Sequence, residues 1–449
     1  MKSEKTIFMC SSCGNDYPKW HGQCPACKEW GTLNEFKEPK RKRGKSVTPK
    51  ESISLNDILQ TNPRERMPTR LKEADRVLGG GILPGSLILL GGSPGVGKST
   101  LALQIIQGAE KKSLYVSAEE SEEQIAMRAR RLNVMSDTMQ LSGENHMEGI
   151  LNQITLLKPE LVVIDSIQTV YSGEVDSLPG SVSQIRECGQ QLLHTCKQFG
   201  VAVIIVGHVT KEGVIAGPKM LEHMVDTVLY LEGDDRYDHR ILRSVKNRFG
   251  ATHEVGIFRM EEKGMIEVEN PSEIFLAERN TDAAGTAVFP SLEGTRPILV
   301  EVQALVSNAN FGTPQRNVNG FDYRRLSMLL AVLEKRLNIP MGMRDVFVNL
   351  VGGMKVDDPA ADLSILSAVA SSAWDKPVNA DTVLIGEVGL AGEVRSVSRV
   401  EKRLKEATAL GFKKALIPKA SAKQLTAKSL GIQILPVSTV REALNKIFD

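Results

Sequence analysis

Residues 92–99 read Gly92-Ser93-Pro94-Gly95-Val96-Gly97-Lys98-Ser99, the GxxxxGK[ST] spacing of a phosphate loop. The run 86–90 (SLILL) before it reads as a buried strand, and 100–108 (TLALQIIQG) after it reads as a helix. Strand, glycine loop and helix are the context the motif requires. Glycines let backbone N–H groups turn inward around phosphate oxygens, and the helix N-terminus adds partial positive charge. The pattern predicts nucleoside triphosphate binding by residues 92–99 and the adjoining Thr100. Lys98 is expected at the β/γ-phosphates and Ser99 on Mg²⁺.

The chain has 449 residues, enough for two or three domains. Hydrophobic residues make up 41 % and charged residues 24 %, as in ordinary globular proteins. Net charge is +2, so any polyanion site must be a local patch. No apolar run approaches the ~20 residues that span a bilayer, and the N-terminus lacks a signal-peptide core. These features predict a cytoplasmic protein without membrane attachment. In that compartment its six cysteines point to metal or buried thiols rather than disulfides.

Four of them form two CxxC pairs, Cys10/Cys13 and Cys24/Cys27, separated by ten residues. Each pair sets two thiolates on one knuckle, and two knuckles close a tetrahedron around Zn²⁺. The segment is too short to build a sizeable core, so metal would supply much of its folding energy. Four thiolates complete the set without His21 and imply a structural site. Cys188 and Cys196, on an expected helix, read as small core residues. Residues 37–50 carry seven Lys/Arg against one Glu and read as a linker, either a solvated tether or a DNA-contacting strap.

From residue 53 to about 271, apolar strands alternate with helices, the pattern of a mostly parallel sheet with helices on both faces. The expected strands are 87–90, 113–117, 161–164, 201–206, 227–231 and 240–246. Ligands in such sheets gather beyond the carboxyl ends of the strands. Asp165 ends one of them and fits the Mg²⁺-side carboxylate of a phosphate-loop enzyme. Glu119 and Glu120 end another; either could orient the attacking water, or one or both would cap the helix starting near Ser121. Lys246 and Arg248 lie at i, i+2 and would project from one strand face, as an exposed basic end or as cations offered to a phosphate. Loops 172–183 and 211–219 read as exposed loops, and Lys211 and Lys219 of the second could pair with phosphates.

The order glycine loop, strand–Glu, strand–Asp-Ser resembles the RecA-type motor core shared by recombinases and replicative ring helicases. In that family the residue matching Glu119 activates water, and the position matching His208 senses the γ-phosphate. Residues 246–250 (KNRFG), the Cys₄ ribbon and the third domain narrow the resemblance to the bacterial RadA/Sms family of recombination and repair proteins, over essentially the whole chain. The resemblance implies a closed, hexameric ring with ATP at subunit interfaces. Lys98, Ser99, Asp165 and Glu119 would come from one subunit, and Lys246 and Arg248 from its neighbour. It further implies action on single-stranded and branched DNA together with RecA, by branch migration and D-loop extension.

Beyond residue 272 the pattern changes to strands and turns followed by two helical stretches, expected to be amphipathic. This part resembles the α+β proteolytic domain of Lon. Lon's Gly-Pro-Ser-Ala-Gly element matches Asp358-Pro359-Ala360-Ala361-Asp362, so Ala360 stands where the nucleophile should be. The partner lysine aligns with Glu401. Peptidase activity is therefore not expected. Arg324 and Arg325, on an expected helix over 321–338, form either a DNA-facing patch or a solvated face. The expected layout is a zinc ribbon (1–34), a basic linker (35–55), a RecA-like α/β core (56–271) and an inactive Lon-like domain (272–449). Four functions fit this layout: a DNA-dependent ATPase motor, an ATP-switched DNA-binding adaptor, a protease, which Ala360 disfavours, and an autophosphorylating kinase on the same core.

Overall fold

The computed structural model describes residues 6–10, 16–26, 28–37, 54–60, 65–117, 119–208, 216–233, 238–309, 312–353, 355–425 and 430–448. The linker over 38–53 lies outside them, as do Cys13, Cys27 and Lys211. The chain divides into two compact units, Met1–Val268 and Glu269–Asp449.

Within the first unit, a small antiparallel sheet is formed by β1 (Thr6–Cys10), β2 (Asp16–Tyr17) and β3 (Leu33–Lys37), in the order β2-β1-β3. Helices α1 (Leu55–Gln60) and α2 (Lys72–Leu78) lead into a nine-stranded sheet. Its strands and helices follow as β4 (Leu87–Gly92), α3 (Lys98–Ala109), β5 (Ser113–Ser117), α4 (Glu122–Arg131), β6 (Met139–Ser142), α5 (Met147–Leu157), β7 (Leu161–Asp165), α6 (Val182–Phe199), β8 (Ala202–His208), α7 (Ala216–Met224), β9 (Thr227–Glu232), β10 (His239–Asn247), β11 (Val255–Glu261) and β12 (Gly264–Glu267).

The sheet order is β12-β11-β10-β9-β4-β8-β7-β5-β6. The six strands from β9 to β6 are parallel; β10, β11 and β12 continue the sheet as an antiparallel meander. Every residue of β4, β5 and β7 is buried, because helices cover both faces and a continuous apolar run is what such a strand needs. Two apolar clusters result. One holds Leu90, Leu101 and Phe258; the other holds Leu87, Ile164 and Leu192. Cys188 and Cys196 belong to the second, and burial pushes both thiols up to about 12. They are inert core residues, as their helical spacing predicted.

Local signals set the helix ends. Ser121 and Gln124 form a reciprocal capping box at the start of α4, and Ser181 caps α6, which ends on left-handed Gly200. In contrast, α3 begins at left-handed Gly97 with no side-chain cap, so its first N–H groups face the loop.

The second unit begins with α8 (Pro271–Leu276). A seven-stranded mixed sheet follows, built from β13 (Thr286–Glu293), β14 (Arg296–Asn308), β15 (Arg316–Asn319), β16 (Arg344–Leu350), β17 (Thr382–Leu384), β20 (Lys414–Pro418) and β21 (Gln433–Val437), in the order β15-β16-β14-β13-β17-β20-β21. A two-stranded ribbon, β18 (Glu387–Val388) and β19 (Val394–Arg395), stands apart from it. The helices are α9 (Tyr323–Leu337), α10 (Asp362–Trp374), α11 (Val400–Ala409), α12 (Lys419–Ala422) and α13 (Val440–Phe448). The expected amphipathicity holds for α9 but not for α10. Residues 362–371 of α10 are buried all round, because Ala and Ser supply its second face.

Candidate nucleotide site and the peptidase-like element

The phosphate loop joins β4 to α3 at the carboxyl edge of the parallel strands, and the backbone at two of its glycines disfavours any side chain. At Gly92 (φ 154°) a Cβ would stand 2.5 Å from the Leu231 carbonyl oxygen. At Gly97 (φ 108°) it would stand 2.4 Å from the Met265 methyl and 2.5 Å from that of Met260. The meander therefore forms one wall of the loop. Arg240 adds a bond from Nε to the Val96 carbonyl at 3.3 Å. Gln104 of α3 exchanges two hydrogen bonds with the Met265 backbone, at 3.0 and 2.9 Å. Pro94 and Gly95 are exposed at the tip, Ser93 and Ser99 are half-buried, and Thr100 is buried.

Lys98 is 4 % exposed, and its ammonium meets three acceptors: the Gly92 carbonyl (3.0 Å), the Ser93 carbonyl (2.9 Å) and His208 Nδ1 (3.1 Å). An ammonium only donates, so Nδ1 accepts and the His208 proton resides on Nε2. That nitrogen faces Glu119 Oε2 at 3.6 Å. Glu119 Oε1 accepts a hydrogen bond from the buried Ser166 hydroxyl. His208 is in register with Gly92 on the adjacent strand, which brings the three side chains together.

Asp165 is 7 % exposed and accepts a bond from the Tyr115 hydroxyl at 2.5 Å. The peptide bond between Asp165 and Ser166 is cis. Glu120 turns away into an ion pair with Arg128 of α4. The two acids that the sequence left as alternatives are thus separated by geometry, with Glu119 alone facing the loop.

Burial pushes the Lys98 ammonium down to about 8, against the opposing pull of Asp165 and Glu119. Phosphate oxygens would raise it again, so nucleotide binding is expected to take up protons above that pH. A group whose pKa rises on binding favours the complex below its free pKa and loses that advantage as pH rises through the pKa of the complex. Titration calorimetry at pH 8.5, in buffers of different ionisation enthalpy, should show net uptake of a fraction of a proton. At pH 7 uptake should be near zero. Equal heats in all buffers at pH 8.5 would refute the assignment.

The basic pair lies elsewhere on the same unit. Strand β10 ends at Asn247, so Arg248 is the first residue beyond it, and a register shift between Ser244 and Lys246 interrupts the alternation. That shift precedes Lys246 and leaves the i, i+2 relation of the pair untouched; Arg248 lies one residue past the ladder. Lys246 Nζ donates to the carbonyls of Glu222 (2.6 Å), Val225 (2.8 Å) and His223 (3.3 Å) at the end of α7. Burial lowers its pKa, and the neighbouring Arg248 lowers it further.

Among the candidate DNA contacts, Lys219 lies on α7 with its side chain outside the described residues. Loop 172–183 is pinned by the buried Gln184, whose amide donates to the carbonyls of Ser172, Val175 and Ser177. It carries Glu174 and Asp176 and no Lys or Arg, which does not suit phosphate contact. On α9, Arg324 is exposed. Arg325 instead forms a two-pronged ion pair with Asp362, which is fully buried. Its expected role in a DNA patch is therefore replaced by a structural one. Burial pushes the Asp362 carboxyl up, and the Arg325 hydrogen bonds oppose the shift.

The peptidase-like element is occupied in the same way. Ala360 is fully buried. Asp358 caps the turn by accepting from Ala360 N at 3.0 Å, and it pairs with Arg403 at 2.6 Å. Arg403 is 1 % exposed and also donates to the Pro290 carbonyl at 2.7 Å. Glu401, the residue aligned with the Lon lysine, instead points outward and pairs with Lys405. The residue that enters the element is Arg403, two positions on. Sequence reading also missed Tyr115, at the centre of β5, and the meander residues that wall the loop.

In the ribbon, Cys10 and Cys24 are buried in one small cluster with Leu33. The Cys24 sulfur lies 3.6 Å from the Tyr17 hydroxyl. No helix among the described residues is long and apolar enough to cross a membrane.

A phosphate loop on this sheet order, with acids at the ends of two neighbouring strands, defines a RecA-like ATPase. Here it is joined to a zinc-ribbon segment and a Lon-like α+β domain. The chain matches the AAA domain family over residues 58–214, the Rubredoxin metal binding domain over 8–35, and Subunit ChlI of Mg-chelatase over 302–421. It is 49 % identical over 453 residues to the DNA repair protein RadA of Bacillus subtilis (strain 168), covering 99 % of each chain. It is 50 % identical over 452 residues to that of Halalkalibacterium halodurans, again covering 99 % of each, and 47 % identical over 448 residues to that of Listeria monocytogenes, covering 98 % of each. The chain belongs to the family of DNA repair protein RadA. Among solved structures, one ATPase domain aligns with 49 % of this chain and 100 % of its own, at 15 % identity and TM-score 0.41.

Proposed function

We propose that this chain is a DNA-dependent ATPase motor of recombinational repair, acting in the cytoplasm as a closed hexameric ring. With RecA it would promote branch migration and D-loop extension on single-stranded and branched DNA. The observation that supports hydrolysis best is the side-chain chain Lys98–His208–Glu119–Ser166, which links the phosphate loop to one candidate base.

In this reading residues 92–100 cradle the triphosphate and Lys98 exchanges its loop carbonyls for phosphate oxygens. Ser99 and Asp165 are the groups suited to hold Mg²⁺, which would neutralise charge on the β- and γ-phosphates. Glu119 orients the attacking water and accepts its proton. His208, donating from Nε2 and accepting at Nδ1, reports the state of the phosphate end to both Lys98 and Glu119. Arg248 of a neighbouring subunit stabilises transition-state charge. Cys10, Cys13, Cys24 and Cys27 hold a structural Zn²⁺. Lys211, Lys219 and Arg324 remain candidate DNA contacts. The Lon-like domain helps build the ring and has no peptidase activity, since Ala360 offers no nucleophile and Arg403 fills the space beside it.

The test is strand displacement from forked and D-loop substrates with tails of either polarity, with and without RecA. ATP should support displacement, and ADP or a non-hydrolysable analogue should not. Displacement that is equal with all three, or absent with ATP on every substrate, would sink the motor reading.

A further inference from the structure

Asp226 lies between α7 and β9 and is 2 % exposed. An ionised carboxylate that deep must be paired and hydrogen-bonded, and each of its partners belongs to a different part of the motor. Its Oδ2 accepts from the Leu87 N–H at 3.1 Å, at the first residue of the strand that leads into the phosphate loop. The same oxygen accepts from Lys197 Nζ, near the end of α6, at 3.0 Å. Its Oδ1 lies 3.5 Å from the Arg248 guanidinium.

The backbone repeats the pattern. Asp226 N–H donates to the Leu87 carbonyl at 2.9 Å, and the Asp226 carbonyl accepts from the Arg248 N–H at 3.1 Å. One residue thus fixes Arg248 by main chain and side chain together, and ties it to the base of the loop strand. Lys246, the other cation of the pair, has its amine engaged by three carbonyls at the end of α7. Arg248 keeps its side chain 54 % exposed and is the one still able to reach outward.

We propose that Asp226 is the positioning residue that presents Arg248 to the nucleotide of the neighbouring subunit. This rests on the proposed trans-acting role of Arg248. A guanidinium beyond the end of a strand has no ladder neighbour to hold its long side chain. A buried, fully bonded carboxylate supplies a fixed anchor, and it moves with β4 and so with the loop of its own subunit. The device therefore links the site a subunit carries to the cation it lends.

The experiment is steady-state ATP turnover by the full-length chain carrying Asp226→Asn or Arg248→Ala, alone and mixed with Lys98→Ala chains. Asparagine keeps the shape and still accepts from Leu87 N–H, but it loses the charge that holds Arg248. Arg248→Ala is expected to lower kcat by about 10³-fold. Asp226→Asn should lower it by about ten- to a hundredfold, with KM for ATP within about twofold of wild type. Mixing Asp226→Asn chains with inactive Lys98→Ala chains should restore turnover, because the latter lend an intact Arg248.

Wild-type kcat in Asp226→Asn beside a collapsed Arg248→Ala would overturn the proposal and leave the finger reading standing. An unaffected Arg248→Ala would overturn the finger reading itself. A slow Asp226→Asn that mixing does not rescue would mean the defect lies within its own subunit, which also overturns the proposal. If Asp226→Asn fails to bind nucleotide, Asp226→Glu replaces it. That variant keeps the charge, shifts it by one methylene, and should show the same loss recovered in mixtures.

Discussion

Replacing Glu119 by Gln should lower ATP turnover by about 10²–10⁴-fold and leave nucleotide binding nearly unchanged. The side chain is held from both sides, by the Ser166 hydroxyl and by the Nε2 face of His208. Glutamine fits the same space: its carbonyl can accept from His208 while its amide donates to the Ser166 oxygen. What it lacks is basicity, so it cannot take a proton from water. Glu120→Gln is the control. That acid is engaged by Arg128, and its loss should change turnover only a few-fold. Turnover follows from phosphate release, and binding from a fluorescent nucleotide. Near-normal turnover in Glu119→Gln would remove it as the base. The same variant separates two readings of the chain. A motor with this substitution loads on DNA but does not displace a strand. An ATP-switched adaptor needs binding alone and would still support repair in cells.

How much of this was legible in the sequence depends on the range of the interactions. The loop, its strand and its helix are local, so residues 86–108 carried their own reading. The acids at the ends of β5 and β7 were legible because apolar strands announce where they stop. The family resemblance favoured Glu119 over Glu120, but the physical reason was not legible, since it depends on Arg128 eight residues on and on His208 across the sheet. The meander was hidden for a related reason. Residues 255–261 and 264–267 are short and partly polar, and their importance lies in Met260 and Met265 reaching Gly97. The bulge just before Lys246 likewise has no sequence signature. Arg325 shows the commonest hazard. A cation on a helix reads as surface until its buried carboxylate, 37 positions away, is placed beside it.

Arg403 carries the second large expectation, because it is the largest fully buried side chain among the described residues. Its guanidinium bonds Asp358 and the Pro290 carbonyl, and Nε reaches the Ser398 carbonyl at 3.1 Å. Asp358 in turn accepts from the backbone N–H groups of Ala360 and Leu292. The pair therefore joins β13, the turn before α10, and α11 beside Ala360, the position aligned with the Lon nucleophile. Arg403→Met fills similar volume but strands the carboxylate, and breaking a buried pair from one side costs about 3–5 kcal/mol. For a unit of this size that corresponds to a fall in its melting temperature of roughly 6–20 °C. Adding Asp358→Asn removes the stranded charge and should recover part of the loss, since the penalty is largely that of an unpaired ion. Nucleotide binding by the first unit should persist in both variants. Calorimetric unfolding of the full-length chain gives the test, and an unshifted transition in Arg403→Met would mean that the clasp contributes nothing. If the loss and its partial recovery both appear, this element is a structural joint. Replacing Ala360 by Ser would then not create cleavage, because Arg403 would still hold the turn.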